Sequence, residues 1–196
     1  MRRGMQWTVV SLVAIGALAG GWVSAWIFAG TVNNLGGGIG PGPWRTAKGT
    51  GDVTAGFIQR AIVARQGLWA LPQTEVVYFT ATTDDQGGTL SNRCTYEIAQ
   101  QQDPQTRWWS VTLYRNLFWV DNPLDRYSWA STNLTREYDG SYRITLSAKS
   151  APGNWLPMGD EEGGFLLIFR NYQPDPSIAA DPEATPLPTI RKTSCN

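Results

Sequence analysis

Residues 107–129, RWWSVTLYRNLFWVDNPLDRYSW, decide the fold. Seven of these twenty-three positions are aromatic. Period-two alternation over 108–114 sets Trp109, Val111 and Leu113 on one face of a strand. Trp108, Ser110, Thr112 and Tyr114 fall on the other. The first face reads as core. The second is either an aromatic strip, Trp108 beside Tyr114, on which a flat sugar ring could stack, or a surface covered by a helix; the covered reading leads. Asn122-Pro123 then marks a turn, because an Asn beside proline can bond its own backbone. Arg126 is expected to pair with Asp121 or Asp125. Asp125, Arg126 and Tyr127 therefore read as a turn clamp or, alternatively, as part of a ligand pocket.

Outward from this stretch, short alternating runs continue. Strands are expected at 75–82, 93–98, 108–114, 118–120, 126–129, 141–147 and 164–171. Breaks such as Asp84-Asp85-Gln86-Gly87-Gly88, Asp139-Gly140 and Pro152-Gly153 separate them. The spacing predicts an antiparallel sandwich or jelly roll rather than βαβ units. One helix is expected at 52–67, capped by Asp52, ended by Gly67, and packed on a sheet through Phe57, Ala61, Ala64 and Leu68. Asn154 and Trp155, in NWLP, suit either a plugged loop or a small pocket together with Arg170 and Tyr172 of the last strand.

The remaining composition narrows the chemistry. There is no histidine, which removes Ser-His-Asp triads, Cys-His dyads and nearly every zinc site. Sixteen basic and sixteen acidic residues balance, so no field draws nucleic acid. The carboxylates of GDEEGG, 159–164, lack a calcium-loop pattern and read as a solvated turn; no cofactor or metal is expected. Cys94 and Cys195 are isolated, and in an oxidising compartment such a pair favours one disulfide closing a loop of about 100 residues. The proline-rich segment 175–196 is expected to be an extended tail lying along the domain.

The N-terminus reads as an address. Trp7 to Gly30 is a charge-free run of twenty-four residues, beyond the roughly 20 that cross a bilayer as a helix. Arg2 and Arg3 precede it and the next charge is Arg45, so the N-terminus stays in the cytoplasm and the rest is exported. A signal peptide cleaved after Ala25 is the rival, but Trp26-Ile27-Phe28 extends the apolar run beyond that site, which favours an anchor. Residues 31–43, TVNNLGGGIGPGP, read as a flexible tether. The organisation is then anchor 1–30, tether 31–43, sandwich 44–174 and tail 175–196. The location is a bacterial inner membrane, single-pass, with the domain in the periplasm.

Several segments resemble one family. Trp109-Ser110-Val111-Thr112-Leu113-Tyr114, then the run from Val120 to Ser128, Asn154-Trp155-Leu156-Pro157, and the run from Phe165 to Pro174 are similar to the family called domain of unknown function 1214. The layout also resembles its short, membrane-tethered members, through Trp44-Arg45-Thr46, Arg93-Cys94-Thr95-Tyr96 and the terminal cysteine. The resemblance implies a jelly-roll sandwich and a companion protein carrying domain of unknown function 1254, and it implies no established activity. The turn Arg115-Asn116-Leu117 departs from a longer loop in the family, which puts any site built from that loop in doubt.

The expected function is a non-catalytic, membrane-anchored envelope module that binds a protein partner or a glycan. Its candidate ligand residues are Trp108, Tyr114, Asp125, Arg126, Tyr127, Asn154, Trp155 and Arg170. The first alternative is a carbohydrate-active hydrolase or lyase using carboxylate, Tyr and Arg. The second is an accessory subunit of a membrane complex, packed through small residues such as Gly16 and Gly20.

Overall fold

Strand β4, Thr106–Arg115, sits in the interior of its sheet and carries the alternation described above. Trp109, Val111 and Leu113 are buried, and Trp109 lies between two rings. It stacks on Phe169 of its own sheet at 5.1 Å and on Tyr142 of the opposing sheet at 4.9 Å. One indole thus bridges the two layers, as offset stacking of large rings favours.

In the computed structural model the described residues are 2–33, 38, 40–46, 49, 51–65, 71–116 and 118–195. They form two compact units, 1–35 and 36–196. The first is a single helix, α1, Arg2–Asn33, containing an eighteen-residue stretch, Val10–Ile27, long and apolar enough to cross a membrane.

The second unit is a two-sheet sandwich. Its first sheet runs β1 (Trp44–Arg45), β2 (Val76–Ala81), β9 (Leu166–Pro174), β4 and β5 (Phe118–Trp119), with β6 (Ser128–Ala130) also paired to β4. The second runs β10 (Thr189–Cys195), β3 (Cys94–Gln100), β7 (Tyr142–Ser147) and β8 (Trp155–Pro157). Inward residues of both sheets, among them Val77, Phe79, Ile98, Val111, Ile144, Leu167 and Ile190, make one core.

All seven expected strands form, with ends shifted by at most three residues. The sandwich is antiparallel as expected but for one pair, β8 parallel to β7. Several other expectations are corrected. Helix α2, Phe57–Arg65, starts five residues later than expected, and Phe57 is 86% exposed instead of packed on a sheet. Asp52 caps no helix: its carboxylate accepts from the Thr54 amide and hydroxyl in a separate turn. Gly67 and Leu68 lie outside the described residues.

The segment expected to be tail does more than lie along the domain. After α3 (Pro176–Ala180) and a 3-10 turn (Pro182–Ala184), β10 completes the second sheet as its edge. The Trp44 indole donates to Pro188 O at 2.7 Å, and the Ile190 amide donates to Asp85 Oδ2 at 2.9 Å. Cys195 pairs with Cys94 in register, and the two are joined by the expected disulfide.

The far end of the expected tether is also packed. A Cβ on Gly38 would lie 2.2 Å from Thr46 O, and one on Gly40 would lie 2.5 Å from Trp44 O. Only glycine permits so close a backbone approach. Positions 34–37 and 39 of the tether lie outside the described residues.

Candidate functional site

The face of the first sheet turned away from the core is built by alternation in three strands. From β4 come Trp108, Ser110, Thr112 and Tyr114; from β9 come Arg170 and Tyr172; from β5 comes Trp119. Leu124, Asp125, Arg126 and Tyr127 of the loop 120–127 border this face along an open cleft of about 470 Å³.

Arg170 stands near its centre, paired across the ladder with Ser110 on one side and Tyr78 on the other. Its guanidinium donates to Thr112 Oγ1 at 3.1 Å and to the Tyr114 hydroxyl at 2.8 Å. Those two bonds fix the fork in one orientation. Tyr78 is pushed above the ordinary phenol range, chiefly by burial; the Leu71 amide and Arg170 oppose that shift and Tyr172 adds to it. Trp108 and Tyr172 meet at 5.1 Å and 58° along one wall. Along the other, Trp119 and Tyr127 stack at 5.1 Å and 19°.

The loop is held by Asn122. Its Oδ1 accepts from the amides of Leu124 and Arg126, and its Nδ2 donates to the carbonyls of Val120 and Arg126. The expected carboxylate pairing of Arg126 is corrected: its guanidinium lies over the Trp129 ring, 4.0 Å from the centroid. Asp125 instead accepts from the Tyr127 hydroxyl at 3.1 Å, and it adopts a left-handed φ of 47° that Asp tolerates better than most side chains. That hydrogen bond, more than any other effect, raises the Tyr127 phenol above its usual range.

Six sequence candidates therefore converge on the cleft: Trp108, Tyr114, Asp125, Arg126, Tyr127 and Arg170. Asn154 and Trp155 do not join them. Asn154 accepts from the Thr135 amide and donates to the carbonyls of Thr135 and Arg143. The Trp155 indole donates to Ser147 O, and its carbonyl accepts from the Trp129 indole. Asn154 fastens the second sheet to the Thr135 loop, and Trp155 ties β8 to β7 and to β6 of the first sheet.

Sequence reasoning missed Trp119 and Leu124 in the cleft wall, whereas Asn122, read as a turn residue bonding its own backbone, does just that. Tyr172 and Ser110 were legible from alternation, since each stands two positions from a named neighbour on the same face.

A second hollow of about 440 Å³ lies on the other side of Trp119. Asp121, Asp160 and Glu161 line it with the buried Arg115, which donates to Met158 O and stands 3.6 Å from Glu161. Among the described residues, no group of three His, Cys, Asp or Glu side chains could hold a metal ion.

A family model described as "Protein of unknown function (DUF1214)" matches residues 75–176. The VPA0106 protein from Vibrio parahaemolyticus has a similar structure, with TM-score 0.57 and 26% identity over 72% of this chain and 36% of that one. An uncharacterized protein from Burkholderia cenocepacia aligns with TM-score 0.41 and 18% identity, over 62% of this chain and 30% of that one. The chain thus spans about a third of the length of each. No curated protein matches the sequence.

Proposed function

From the premise that this chain belongs to the DUF1214 family, whose description names no activity, we propose that it is a membrane-anchored envelope module binding a glycan, without catalysis, in the cleft of its first sheet. The observation that carries the reading is the composition of that cleft. Two aromatic pairs, Trp108–Tyr172 and Trp119–Tyr127, flank hydroxyl, amide and guanidinium groups. A sugar ring presents C–H groups on its faces and hydroxyls at its edge, so it needs flat apolar walls with a few fixed polar partners.

Two features favour binding over hydrolysis or elimination. Among the described residues, Asp125 is the one carboxylate that lines the cleft, whereas paired-acid hydrolysis uses two, about 5–9.5 Å apart. Tyr127 has its phenol pKa raised, the wrong direction for a tyrosine that must act as base near neutral pH. The apolar α1, the disulfide and the Arg2-Arg3 pair support a module exported across a bacterial inner membrane, with its N-terminus on the cytoplasmic side.

The test is calorimetric titration of the full-length chain in mild detergent against a panel of oligosaccharides. Trp108→Ala and Trp119→Ala should each weaken the best ligand by about 3- to 10-fold. Incubation should release no reducing ends. Turnover, or binding indifferent to both substitutions, would sink the proposal. The second reading is a protein partner, for which the family resemblance suggests a protein carrying domain of unknown function 1254. It is favoured by Phe118, Trp119 and Leu124, which stand exposed around the β4–β5 turn. Co-purification of such a protein, lost in Phe118→Ser, would support it.

A further inference from the structure

Five cations of the sandwich are matched with acids. Arg93, Arg115, Arg136, Arg191 and Lys192 each stand within 4.0 Å of a carboxylate. Among the described residues, no such partner accompanies Arg170 or Arg126, the two cations of the cleft. Arg170 is the more telling of the two. It is half-buried in the middle of a sheet face, where a charge loses hydration, yet it is held by two neutral hydroxyls. Thr112 and Tyr114 orient the guanidinium without neutralising it. The fork keeps further N–H groups for a planar acid, which it can bond bidentately.

We infer that the ligand of this cleft carries a carboxylate, so that the site takes a uronate-bearing glycan in preference to a neutral one. The inference rests on the glycan reading above and deepens it. Two guanidinium groups face one carboxylate in the cleft, and that carboxylate, Asp125, already accepts a hydrogen bond from Tyr127. The cleft thus holds one guanidinium in excess, and Asp125 forms no ion pair with Arg170. Across Trp119 the balance reverses, with three carboxylates around a single guanidinium that Glu161 already attends. An acidic sugar is attracted on one side of Trp119 and repelled on the other, which fixes where its carboxylate sits. A neutral sugar would leave the Arg170 charge uncompensated once the cleft is filled.

The test titrates the full-length chain in detergent with three oligomers of equal length: an oligouronate, the same oligouronate with its carboxyls reduced to primary alcohols, and an uncharged oligoglucose. The oligouronate should bind, and reduction of its carboxyls should weaken binding about 10-fold or more. Arg170→Lys keeps the charge but loses the fork and should weaken the oligouronate by about 10-fold. Arg170→Gln should make the intact oligouronate behave like the reduced one. Arg191→Gln, on the exposed edge strand, should leave affinity unchanged, and binding should fall as salt rises. Near-ultraviolet circular dichroism checks that each variant folds. Should Arg170→Gln unfold, carboxyl reduction on the unaltered protein decides alone. Equal affinity for intact and reduced oligomers, or binding of the neutral one only, would overturn the acidic assignment and leave the glycan reading standing. Binding of none of the three would overturn both.

Discussion

Single residues carry this molecule's sharpest distinctions, and Asn154 is the clearest. It is buried and makes three hydrogen bonds, to the amide and carbonyl of Thr135 and to the Arg143 carbonyl. Asn154→Ala strands those backbone groups and should destabilise the domain by about 3 kcal/mol, read as a lower urea midpoint, while glycan affinity holds. Asp84 gives a pH signature. Burial alone would raise its pKa, but the Gly88 and Gln86 amides and the Lys192 ammonium hold it below the usual carboxylate range. Its folded value lies below its unfolded value of about 3.9, so its contribution is complete above that pH and is lost as pH falls through the folded value. Asp85, raised chiefly by burial and also by the Asp84 charge, works in the opposite sense. The urea midpoint of Asp84→Asn should therefore fall less than that of the parent between pH 5 and pH 2.5; parallel profiles would refute this. The sequence offered Asn154 and Arg126 as equal candidates for binding. Alternation settles which way a strand residue points, but nothing in local pattern tells whether an Asn bonds a distant loop or a ligand.

At the scale of elements, legibility followed apolar alternation. Every strand with an alternating buried face was readable, and the three strands missed lack one. The burial of β10 rests on Ile190 alone, β1 has two residues, and β8 has three and pairs in parallel. Edge and accessory strands gain order from neighbours rather than from their own pattern. The helix expected at 52–67 was legible only in part: α2 forms over 57–65, but Phe57, read as its packing residue, stands exposed. The stability of β10 is consequently not local. Its anchors are Trp44, Asp85, the Lys192–Asp84 pair and the disulfide, which joins residues 101 apart. Constraint of so long a loop is worth up to about 4.7 kcal/mol in the chain-entropy model. Cys94→Ser with Cys195→Ser should lower unfolding free energy by about 3–4 kcal/mol. The side-chain anchors should keep β10 protected from amide exchange under native conditions. Loss of that protection in the double variant would show that the disulfide, and not the sheet, holds the strand.

At the scale of the whole chain, the sequence places a charge-free run between Arg2-Arg3 and Arg45, and the disulfide supplies an independent reporter of where the domain resides. The two are coupled by compartment. On the proposed topology, a span oriented by its flanking arginines would export the domain to where Cys94 and Cys195 meet oxidising conditions. Reversing the flanking charge tests the coupling without touching the folded domain. Arg2→Glu with Arg3→Glu removes the basic side of the bias, so a fraction of chains should insert inverted and retain the domain in the cytoplasm. In that fraction both cysteines should react with maleimide before reduction, whereas in the parent they should react only after it. Protease added to intact spheroplasts should digest the parent domain and spare the inverted one. Agreement between thiol reactivity and protease protection, chain by chain, is the expected outcome. A domain that is protease-accessible but reduced would break the link between export and disulfide. One that is oxidised in both variants, with unchanged protease access, would show that the two arginines do not set orientation.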